Sequence, residues 1–389
     1  MNKNRKIFFL INSLTAGGAE RVLSIILSEL NKQNYDIELI CLEKNNFYTI
    51  PKNIKITYLS NNNGNEHPVK KLLMLPFLAI SLQKYIKKNN ISIIQSHVYR
   101  ANFVNSLSKL FGSKHTAQIV NAGQVSMYKT KGFIGKVNLF LIKKLYPMAN
   151  TIICKSKGME IDLQTYFQKE LNSIVINNPY DIEKIKLLKD EKIDNFTFNK
   201  EKTYLIYVGR FASFKKPEYI IKALKGLNED IELILLGDGP NRTELENLSI
   251  SLTLSHRVHF LGRVENPYKY IFKSDIFILS SDDGEGFPNV LVEAMICQTS
   301  VIATDCKSGP REILSPKTDI TFELKDGLEI AEHGILVPKS NVKFLREAIT
   351  LLLLNKALKE KLISSGYERA KDFSVDKIIT QYKKVLELE

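Results

Sequence analysis

The sequence predicts an α/β protein of two domains, each built on a parallel sheet with helices on both faces. Short apolar runs of strand length alternate with helical stretches along the whole chain. This alternation is typical of parallel strands joined by crossover helices. With 389 residues, the chain is too long for one ordinary core and suits two domains of ~150–200 residues.

Thirteen runs are predicted to be strands. Those of the first half are residues 7–11, 37–42, 54–59, 91–96, 117–120, 151–154 and 174–176. Those of the second half are residues 204–208, 231–236, 258–261, 276–280, 301–304 and 334–337. Asn178-Pro179 and the charged, weakly apolar segment up to Lys202 have the composition of an interdomain connection. We therefore expect domains at 1–180 and 181–374, with the helix in 375–389 able to pack on either.

Two Rossmann-like domains that face one another would place the carboxyl ends of both sheets around one central cleft. Ligands of such folds bind at these ends, where loops and helix N-termini converge. The chemistry is therefore expected in the loops that follow strands.

The amino terminus and the cysteines narrow the class of protein. Residues 1–11 begin like a signal peptide, but the apolar run is short and Asn12-Ser13 and a Gly pair follow it, which indicates a first strand. The longest apolar stretch elsewhere, 72–82, contains Pro76 and is shorter than the ~20 residues of a membrane span. The four cysteines have no paired spacing, so we expect buried free thiols and a cytoplasmic protein without a zinc site.

Positive charge is concentrated in the first half of the chain. Residues 1–180 contain 24 Lys and Arg against 9 Asp and Glu, whereas residues 181–389 contain 31 against 33. The first half thus suits an anionic partner. No nucleic-acid motif accompanies the charge, so nucleic acid is not expected as the partner.

The lysines of the first half border apolar stretches. Lys70 and Lys71 precede residues 72–82, and Lys143 and Lys144 follow residues 137–142. Basic residues beside short apolar helices suit peripheral binding to anionic lipid on the inner face of the plasma membrane. A solvated face of a lysine-rich protein remains the alternative.

Glycines and cations follow several predicted strands. Gly17 and Gly18 follow the first strand, where glycine lets the backbone approach a ligand and a helix end offers amides. In the second half, Gly209 and Arg210 follow a strand, and Lys215 comes five residues after Arg210. Arginine and lysine here could hold a diphosphate. The strand-then-glycine pattern recurs at residues 236–240, which include Gly237, and at 261–264, which include Arg263.

The most informative segment is residues 280–295. A glycine-rich turn follows a strand, and a helix is predicted to begin near Pro288. Amides of Phe287, Pro288, Asn289 and Val290 are expected to form an anion site. Glu293, one turn further, could accept hydrogen bonds from a ribose diol, and Glu285 could reach sugar hydroxyls.

These motifs together resemble glycosyltransferase family 4, a GT-B-fold group of retaining enzymes that use nucleotide-sugars. The resemblance rests on EGFPNVLVEAM at 285–295, GGAER at 17–21, GR and K at 209–215, GDGP at 237–240 and SGPREI at 308–313. It covers nearly the whole chain. The pattern closely resembles the bacterial subgroup that extends undecaprenyl-diphosphate-linked oligosaccharides, including GalNAc transferases and O-antigen or capsule enzymes.

The resemblance implies a role for each motif. Arg210 and Lys215 would hold the donor diphosphate, Glu285 the donor sugar and Glu293 the ribose. Residues 287–290 would give backbone contacts to phosphate and sugar, the loop at Gly262-Arg263 would contact the base, and Gly17 and Gly18 would complete the cleft.

One departure concerns the acceptor side. Many relatives carry a histidine after the strand that here is 117–120, but this chain has Asn121-Ala122-Gly123-Gln124. His97 is the nearest alternative, and with Arg100 and Asn102 it could meet the acceptor. A structural role for a lone histidine is the competing interpretation.

The resemblance implies front-face attack, with the departing phosphate as base and no added metal, since no metal-binding acidic motif follows a strand. Asp282-Asp283 is interpreted as a solvated turn. We therefore expect transfer of a hexose or N-acetylhexosamine, most readily from a UDP-sugar, to a lipid-linked glycan. The alternatives are a GDP-mannose- or UDP-glucose-dependent transferase, a non-catalytic nucleotide-sugar-binding partner, or a GT-B epimerase or phosphorylase.

Overall fold

The structure, a computed structural model, describes residues 6–15, 17–45 and 47–387. The signal-peptide-like start at residues 1–5 lies outside the described residues. The chain divides into two compact units, one of residues 1–180 with 375–389 and the other of residues 181–374.

The first unit is built on a seven-stranded parallel sheet in the order β3-β2-β1-β4-β5-β6-β7. Its strands are β1 Ile7–Ile11, β2 Ile37–Cys41, β3 Lys55–Tyr58, β4 Ile93–His97, β5 Thr116–Asn121, β6 Thr151–Cys154 and β7 Ser173–Val175. All residues of β1, β2 and β4 are buried, as expected for strands covered on both faces. The strand order reverses between β1 and β4, which creates a topological switch point at the carboxyl edge.

Among the residues that the structure describes, six helices of this unit connect the strands. They are α1 Gly18–Lys32, α2 Pro68–Leu73, α3 Leu75–Lys88, α4 Tyr99–Leu110, α5 Gly132–Leu145 and α6 Lys157–Phe167. Helices α3, α4 and α5 bury apolar side chains in one core on one face of the sheet, and α1 packs in a second core on the other. The apolar stretch 72–82 is divided between α2 and α3 because Pro76 lies in the first turn of α3.

The second unit repeats the same plan around one further core. Its strands are β8 Thr203–Val208, β9 Ile231–Leu236, β10 Val258–Gly262, β11 Ile276–Leu279, β12 Ser300–Thr304, β13 Glu329–Ile330 and β14 Ile335–Val337. Their order is β10-β9-β8-β11-β12-β14-β13, and only the pairing of β13 with β14 is antiparallel among the strands described. The switch point of this sheet lies between β8 and β11.

The helices of the second unit are α7 Ile182–Lys189, α8 Pro217–Leu224, α9 Arg242–Ser251, α10 Tyr268–Lys273, α11 Asn289–Ile296, α12 Pro310–Leu314, α13 Val342–Leu354 and α14 Lys356–Ala370. Helix α7 occupies the first part of the segment predicted to be a plain connection. That segment thus begins the second unit with an ordered helix, whose Asp181 caps the N-terminus by accepting from the Lys184 amide.

The last helix, α15 Val375–Val385, belongs to the first unit. Ile378, Ile379 and Tyr382 enter the core that α1 also covers. The chain therefore returns to the first sheet after the second unit is complete. No helix within the described ranges is long and apolar enough to cross a membrane.

Candidate functional site

The loops after β8 and β11 meet at the switch point of the second sheet and bring Lys215 and Glu285 together. Lys215 Nζ lies 2.5 Å from Glu285 Oε1. The side chains are 19% and 7% exposed, respectively. Ser281 Oγ donates to the same carboxylate oxygen at 2.5 Å. The two residues that were expected to act separately on diphosphate and sugar thus form one ion pair. Glu285 was expected to be free, but its carboxylate is already engaged.

This pair is held in place by the backbone of both loops. The Asp282 amide donates to the Phe214 carbonyl at 2.7 Å, and Ser280 Oγ donates to the Lys215 carbonyl at 2.9 Å. The two loops therefore form one rigid wall of the site.

Glycines allow the loops after β8, β9 and β10 to approach each other closely. The Gly209 amide donates to the Leu236 carbonyl at 2.9 Å, and the Gly237 amide donates to the Gly262 carbonyl at 2.8 Å. Gly237 has φ +148°, and a Cβ there would lie 1.9 Å from the Gly209 carbonyl oxygen. The predicted strand-then-glycine pattern therefore serves contact between loops.

Two arginines at this edge project into solvent. Arg210 and Arg263 are exposed. Within the described part of the chain, neither guanidinium has a hydrogen bond or ion pair. Cations that have no protein partner at the carboxyl edge of a parallel sheet are available to an anionic ligand.

Helix α11 presents its N-terminus beside Glu285. It begins at Asn289, with Pro288 as the N-cap in an extended conformation, so the predicted start at Pro288 is one residue early. Pro288 has no amide hydrogen and cannot contribute the donor expected of it. The amides of Asn289 and Val290 are the first of the helix and lie at its positive end.

The remaining motif residues of this segment are buried. Phe287 is 6% exposed and its ring packs edge-on against Phe373, with 5.1 Å between centroids. Glu293 is 1% exposed. Burial and, less strongly, the charge of Glu293 raise the pKa of the Cys297 thiol. The ribose role of Glu293 stays a prediction.

The SGPREI segment supports the turn before α11. Gly309 has φ +98°, and a Cβ there would lie 2.5 Å from Pro288 Cδ. Ser308 Oγ donates to the Gly286 carbonyl at 2.8 Å. Arg311, 3% exposed, pairs with Asp305 at 2.7 Å and with Glu329 at 2.8 Å. The motif therefore packs against the turn at Gly286 to Pro288 and holds it in place.

The acidic pair of the turn is engaged with lysines. Asp283 pairs with Lys339 at 2.7 Å, and Asp282 lies 3.8 Å from Lys216 Nζ and accepts from Ser340 Oγ at 3.0 Å. The turn is therefore an ion-pair network, not simply solvated. Within the described ranges, no cluster of His, Cys, Asp or Glu has the arrangement of a metal site.

In the first unit, Gly17 and Gly18 begin α1 after β1. Gly17 is the N-cap, and a Cβ there would lie 2.1 Å from Glu20 Oε2. The Glu20 carboxylate, which also accepts from Thr15 at 3.3 Å, thus lies against the start of this helix. Burial raises the pKa of Glu20, although its own backbone amide and Thr15 oppose this.

His97 ends β4 and is enclosed, with 1% exposure. Its Nε2 lies 3.2 Å from Gln95 Oε1. Burial, with the charge of Lys155, holds the pKa of His97 well below its ordinary value, so the imidazole is neutral at pH 7. Lys155 is itself buried and donates to the Tyr382 hydroxyl of α15. His97 is not an open edge of a site as expected, and its functional role stays a prediction.

Arg100 and Asn102, the companions proposed for His97, are internal. Arg100 pairs with Glu43 at 2.7 Å, and Asn102 donates to the Val120 carbonyl at 2.8 Å and accepts from Ser96 at 2.9 Å. Their polar groups hold α4 to the sheet and to the loop after β2, and a contact of either residue with an acceptor stays a prediction. All four cysteines are buried free thiols, as predicted.

Some residues of the site were not expected from the sequence. Ser281 orients Glu285, and Thr304 Oγ1 donates to the Ser281 carbonyl. The Tyr207 hydroxyl donates to the Arg210 carbonyl at 3.1 Å. A hydroxyl residue just after a strand is the one signal that could have pointed to Ser281. The assembled edge offers two exposed arginines, a lysine and a helix N-terminus, which together can bind a diphosphate.

Comparisons with known proteins agree with this chemistry. The model of Glycosyltransferase Family 4 matches residues 16–184, and that of Glycosyl transferases group 1 matches residues 189–369. The chain is 32% identical over 98% of its length to a Campylobacter jejuni protein, 99% of which is covered. That relative is N-acetylgalactosamine-N,N'-diacetylbacillosaminyl-diphospho-undecaprenol 4-alpha-N-acetylgalactosaminyltransferase.

A second Campylobacter jejuni relative, at 25% identity over 98% of each chain, is GalNAc-alpha-(1->4)-GalNAc-alpha-(1->3)-diNAcBac-PP-undecaprenol alpha-1,4-N-acetyl-D-galactosaminyltransferase. Among solved structures, Anabaena HepE in complex with UDP aligns over 99% of this chain and 100% of its own, with TM-score 0.75 and 18% identity. The two repeated parallel sheets, the basic carboxyl edge of the second unit and the full-length similarity lead to one conclusion: the chain belongs to glycosyltransferase family 4 and has the GT-B fold.

Proposed function

We propose that this glycosyltransferase moves an N-acetylhexosamine or hexose, with retention, from a UDP-sugar to a prenyl-diphosphate-linked glycan at an anionic membrane surface. The observation that carries the donor side is the cluster of Arg210, Lys215, Glu285 and the N-terminus of α11 at one switch point. The relatives named above, which extend undecaprenyl-diphosphate-linked glycans, support the acceptor class.

In this proposal the diphosphate lies against Arg210, Lys215 and the first amides of α11. Negative charge builds up on the diphosphate as the sugar leaves, so prearranged donors stabilise the transition state more than the ground state. The departing phosphate takes the proton of the attacking hydroxyl. Glu285 orients the sugar, and a neutral His97 is assigned no proton transfer.

A panel of UDP- and GDP-sugars, each with a soluble prenyl-diphosphate glycan, tests this function. We expect transfer from UDP-N-acetylhexosamine or UDP-hexose. Transfer only from GDP-mannose favours the rival donor. Nucleotide binding without transfer or donor hydrolysis in the whole panel favours a non-catalytic binding partner.

We also propose that activity requires no added metal. Asp282 and Asp283, the acidic pair of the turn before α11, are engaged with Lys216 and Lys339. In this proposal, Arg210, Lys215 and the helix amides supply the positive charge that a metal ion would otherwise bring to the diphosphate. Activity should therefore persist in a chelator, and complete loss that Mg²⁺ restores would contradict the proposal.

The membrane part of the proposal rests on charge and exposed apolar side chains of the first unit. Residues 67–159 contain 15 Lys and Arg and no Asp or Glu. On α2, α3 and α5, several large apolar side chains are exposed, from 42% for Ile134 to 79% for Phe133. These residues are Val69, Leu73, Phe77, Phe133, Ile134 and Phe140. Lysines between exposed apolar groups suit an interface with anionic headgroups.

Flotation with liposomes tests this surface. We expect binding to vesicles with anionic lipid and much weaker binding to neutral vesicles. Combined Lys→Gln substitution at Lys70, Lys71, Lys143 and Lys144 should lower binding by more than tenfold, at about 1 kcal/mol for each lysine at the surface. The matched control removes four exposed lysines of the second unit, Lys192, Lys317, Lys343 and Lys356. Equal effects of the two sets, or no effect of the first, would contradict the proposal.

A further inference from the structure

A residue with a strained backbone immediately precedes the first residue of α4. Val98, between β4 and α4, has φ +63° and ψ 151°. This conformation is a genuine outlier for a β-branched residue, and such residues persist only where their surroundings determine them. Val98 lies at the carboxyl edge of the first sheet, beside its switch point.

Neighbouring loops hold this strained turn. Asn12 Oδ1, from the loop after β1, accepts from the Ala101 amide at 3.0 Å. Glu43, from the loop after β2, pairs with Arg100 at 2.7 Å. The start of α4 is therefore fixed on both sides, and the direction of Tyr99 is fixed with it.

Tyr99 is the exposed ring of a surface group that we call the aromatic shelf, formed by Tyr99, the half-buried Tyr128 and Lys131. Tyr99 is 37% exposed and packs edge-on against Tyr128, with 5.9 Å between ring centroids. The Lys131 ammonium lies 5.0 Å from the centroid of the Tyr128 ring. Phe103, fully buried, supports Tyr99 from below at 5.8 Å.

The Tyr128 side of the shelf is also fixed. The amides of Val125 and Ser126 donate to Asp162 Oδ2 at 2.6 and 3.1 Å. A Cβ at Gly135 would lie 2.0 Å from the Tyr128 carbonyl oxygen, so glycine is required for this close approach. Within the described ranges, neither tyrosine hydroxyl has a hydrogen-bond partner. The partly exposed Tyr99 is thus held rigidly where a ligand can reach it, with the half-buried Tyr128 ring beside it.

We propose that the aromatic shelf binds a sugar ring of the acceptor glycan, an inference that rests on the proposed function. A pyranose has an apolar C–H face and a rim of hydroxyls, which match a tyrosine face and its hydroxyl. Lys131 adds a cation for the anionic part of the same molecule. A prenyl chain would leave the hydroxyls and the ammonium without partners, so it suits the all-carbon side chains of Phe77 and Phe133 better.

Kinetics with a soluble glycan acceptor that lacks the prenyl chain test the shelf. In Tyr99→Ala and Tyr128→Ala, the acceptor KM should rise about tenfold each, because an aromatic contact of ~1.4 kcal/mol corresponds to that factor. The donor KM and UDP affinity should stay unchanged, which also shows that the variants fold. Tyr99→Phe should retain most of the stacking and lose only the contribution of the hydroxyl.

Phe111→Ala is the matched control. Phe111 follows the other end of α4 and is 40% exposed, close to the value for Tyr99. Twelve residues of helix place the two side chains roughly 18 Å apart. Its acceptor KM should not change. An equal rise in this control would assign the effect to the helix and overturn the inference.

Saturation-transfer NMR of the soluble glycan separates this inference from the proposed function. If the wild type transfers no sugar but binds the glycan, and Tyr99→Ala abolishes binding, the proposed function fails and the shelf stands. If Tyr99→Ala binds and uses the soluble glycan like the wild type, the inference is overturned. An effect seen only with a long prenyl chain assigns the shelf to lipid and also overturns it.

Discussion

The ion pair between Lys215 and Glu285 leads to opposite predictions for two properties of the variant Glu285→Gln. The affinity for UDP should rise, and the rate of sugar transfer should fall. Lys215 Nζ is bound to Glu285 at 2.5 Å, and both side chains are largely enclosed. A diphosphate that recruits this ammonium must therefore weaken the existing contact. In Glu285→Gln, Ser281 retains a hydrogen-bond partner, but Lys215 loses the negative charge that attracts it.

The magnitude follows from the kind of contact. In Glu285→Gln the Lys215 ammonium can still donate to an amide oxygen, but the attraction between opposite charges is lost, which releases on the order of 1 kcal/mol of restraint on Lys215. UDP, which lacks the sugar, should therefore bind Glu285→Gln about fivefold more tightly. Sugar transfer should instead fall by about a hundredfold or more, because the group that orients the sugar is lost.

Isothermal titration with UDP and initial rates with the UDP-sugar measure the two quantities on the same preparation. Lys215→Met is the companion variant, in which both UDP affinity and transfer should fall. If Glu285→Gln weakens UDP binding, Glu285 does not restrain Lys215 and the reasoning is refuted. Unchanged transfer in Glu285→Gln would remove Glu285 from the site.

Three further predictions concern the framework of the site and of the fold. Gly309→Ala should weaken UDP binding about tenfold or more, because its Cβ would lie 2.5 Å from Pro288 Cδ. The control Gly327→Ala, at a glycine with φ +74° and open space around it, should leave UDP binding unchanged. An equal loss of affinity in both variants would assign the effect to backbone strain alone. Burial raises the pKa of Glu38, but hydrogen bonds from Thr57, Tyr85, Lys6 and Lys55 outweigh it and lower the pKa to about 2. The stabilisation is therefore fully present above about pH 4.5 and is lost as the pH falls towards 2, so Glu38→Gln should cost about 1–2 kcal/mol at pH 7 after allowance for solvent screening and should flatten the acid limb of calorimetric melting. Burial lowers the pKa of Lys155 to about 7, so the folded protein should gain stability as the pH rises from about 7 to 10.5. Lys155→Met should raise the melting temperature at pH 7 and remove this gain of stability with pH. A lower melting temperature would show that the contact with Tyr382 outweighs the cost of burial.

Most of the fold could be predicted from apolar runs. Strands buried on both faces give continuous apolar sequence, which is why β1, β6 and β9 have the predicted bounds. The short antiparallel strand β13 was missed because two residues, one of them exposed, produce no such pattern. Helix α7 was missed because a charged helix with one buried residue resembles a connection.

The candidate site could be predicted as a set of loops, but not as a set of contacts. The segment 285–293 identified the right turn and helix, because glycine, proline and strand ends leave local signals. The pairing of Lys215 with Glu285 joins residues 70 positions apart, and no local pattern encodes it. His97 was expected at an open edge because it follows a strand, whereas its burial depends on neighbouring strands and on Lys155.

The anomeric configuration of the product tests the central claim most directly. UDP-α-N-acetylhexosamine and a soluble prenyl-diphosphate glycan are incubated with the enzyme, and the new linkage is determined by NMR. A retaining glycosyltransferase whose donor site is the basic carboxyl edge of the second unit should give an α-linked product, and Lys215→Met should reduce its formation at least a hundredfold. A β-linked product, or full activity in Lys215→Met, would contradict the account.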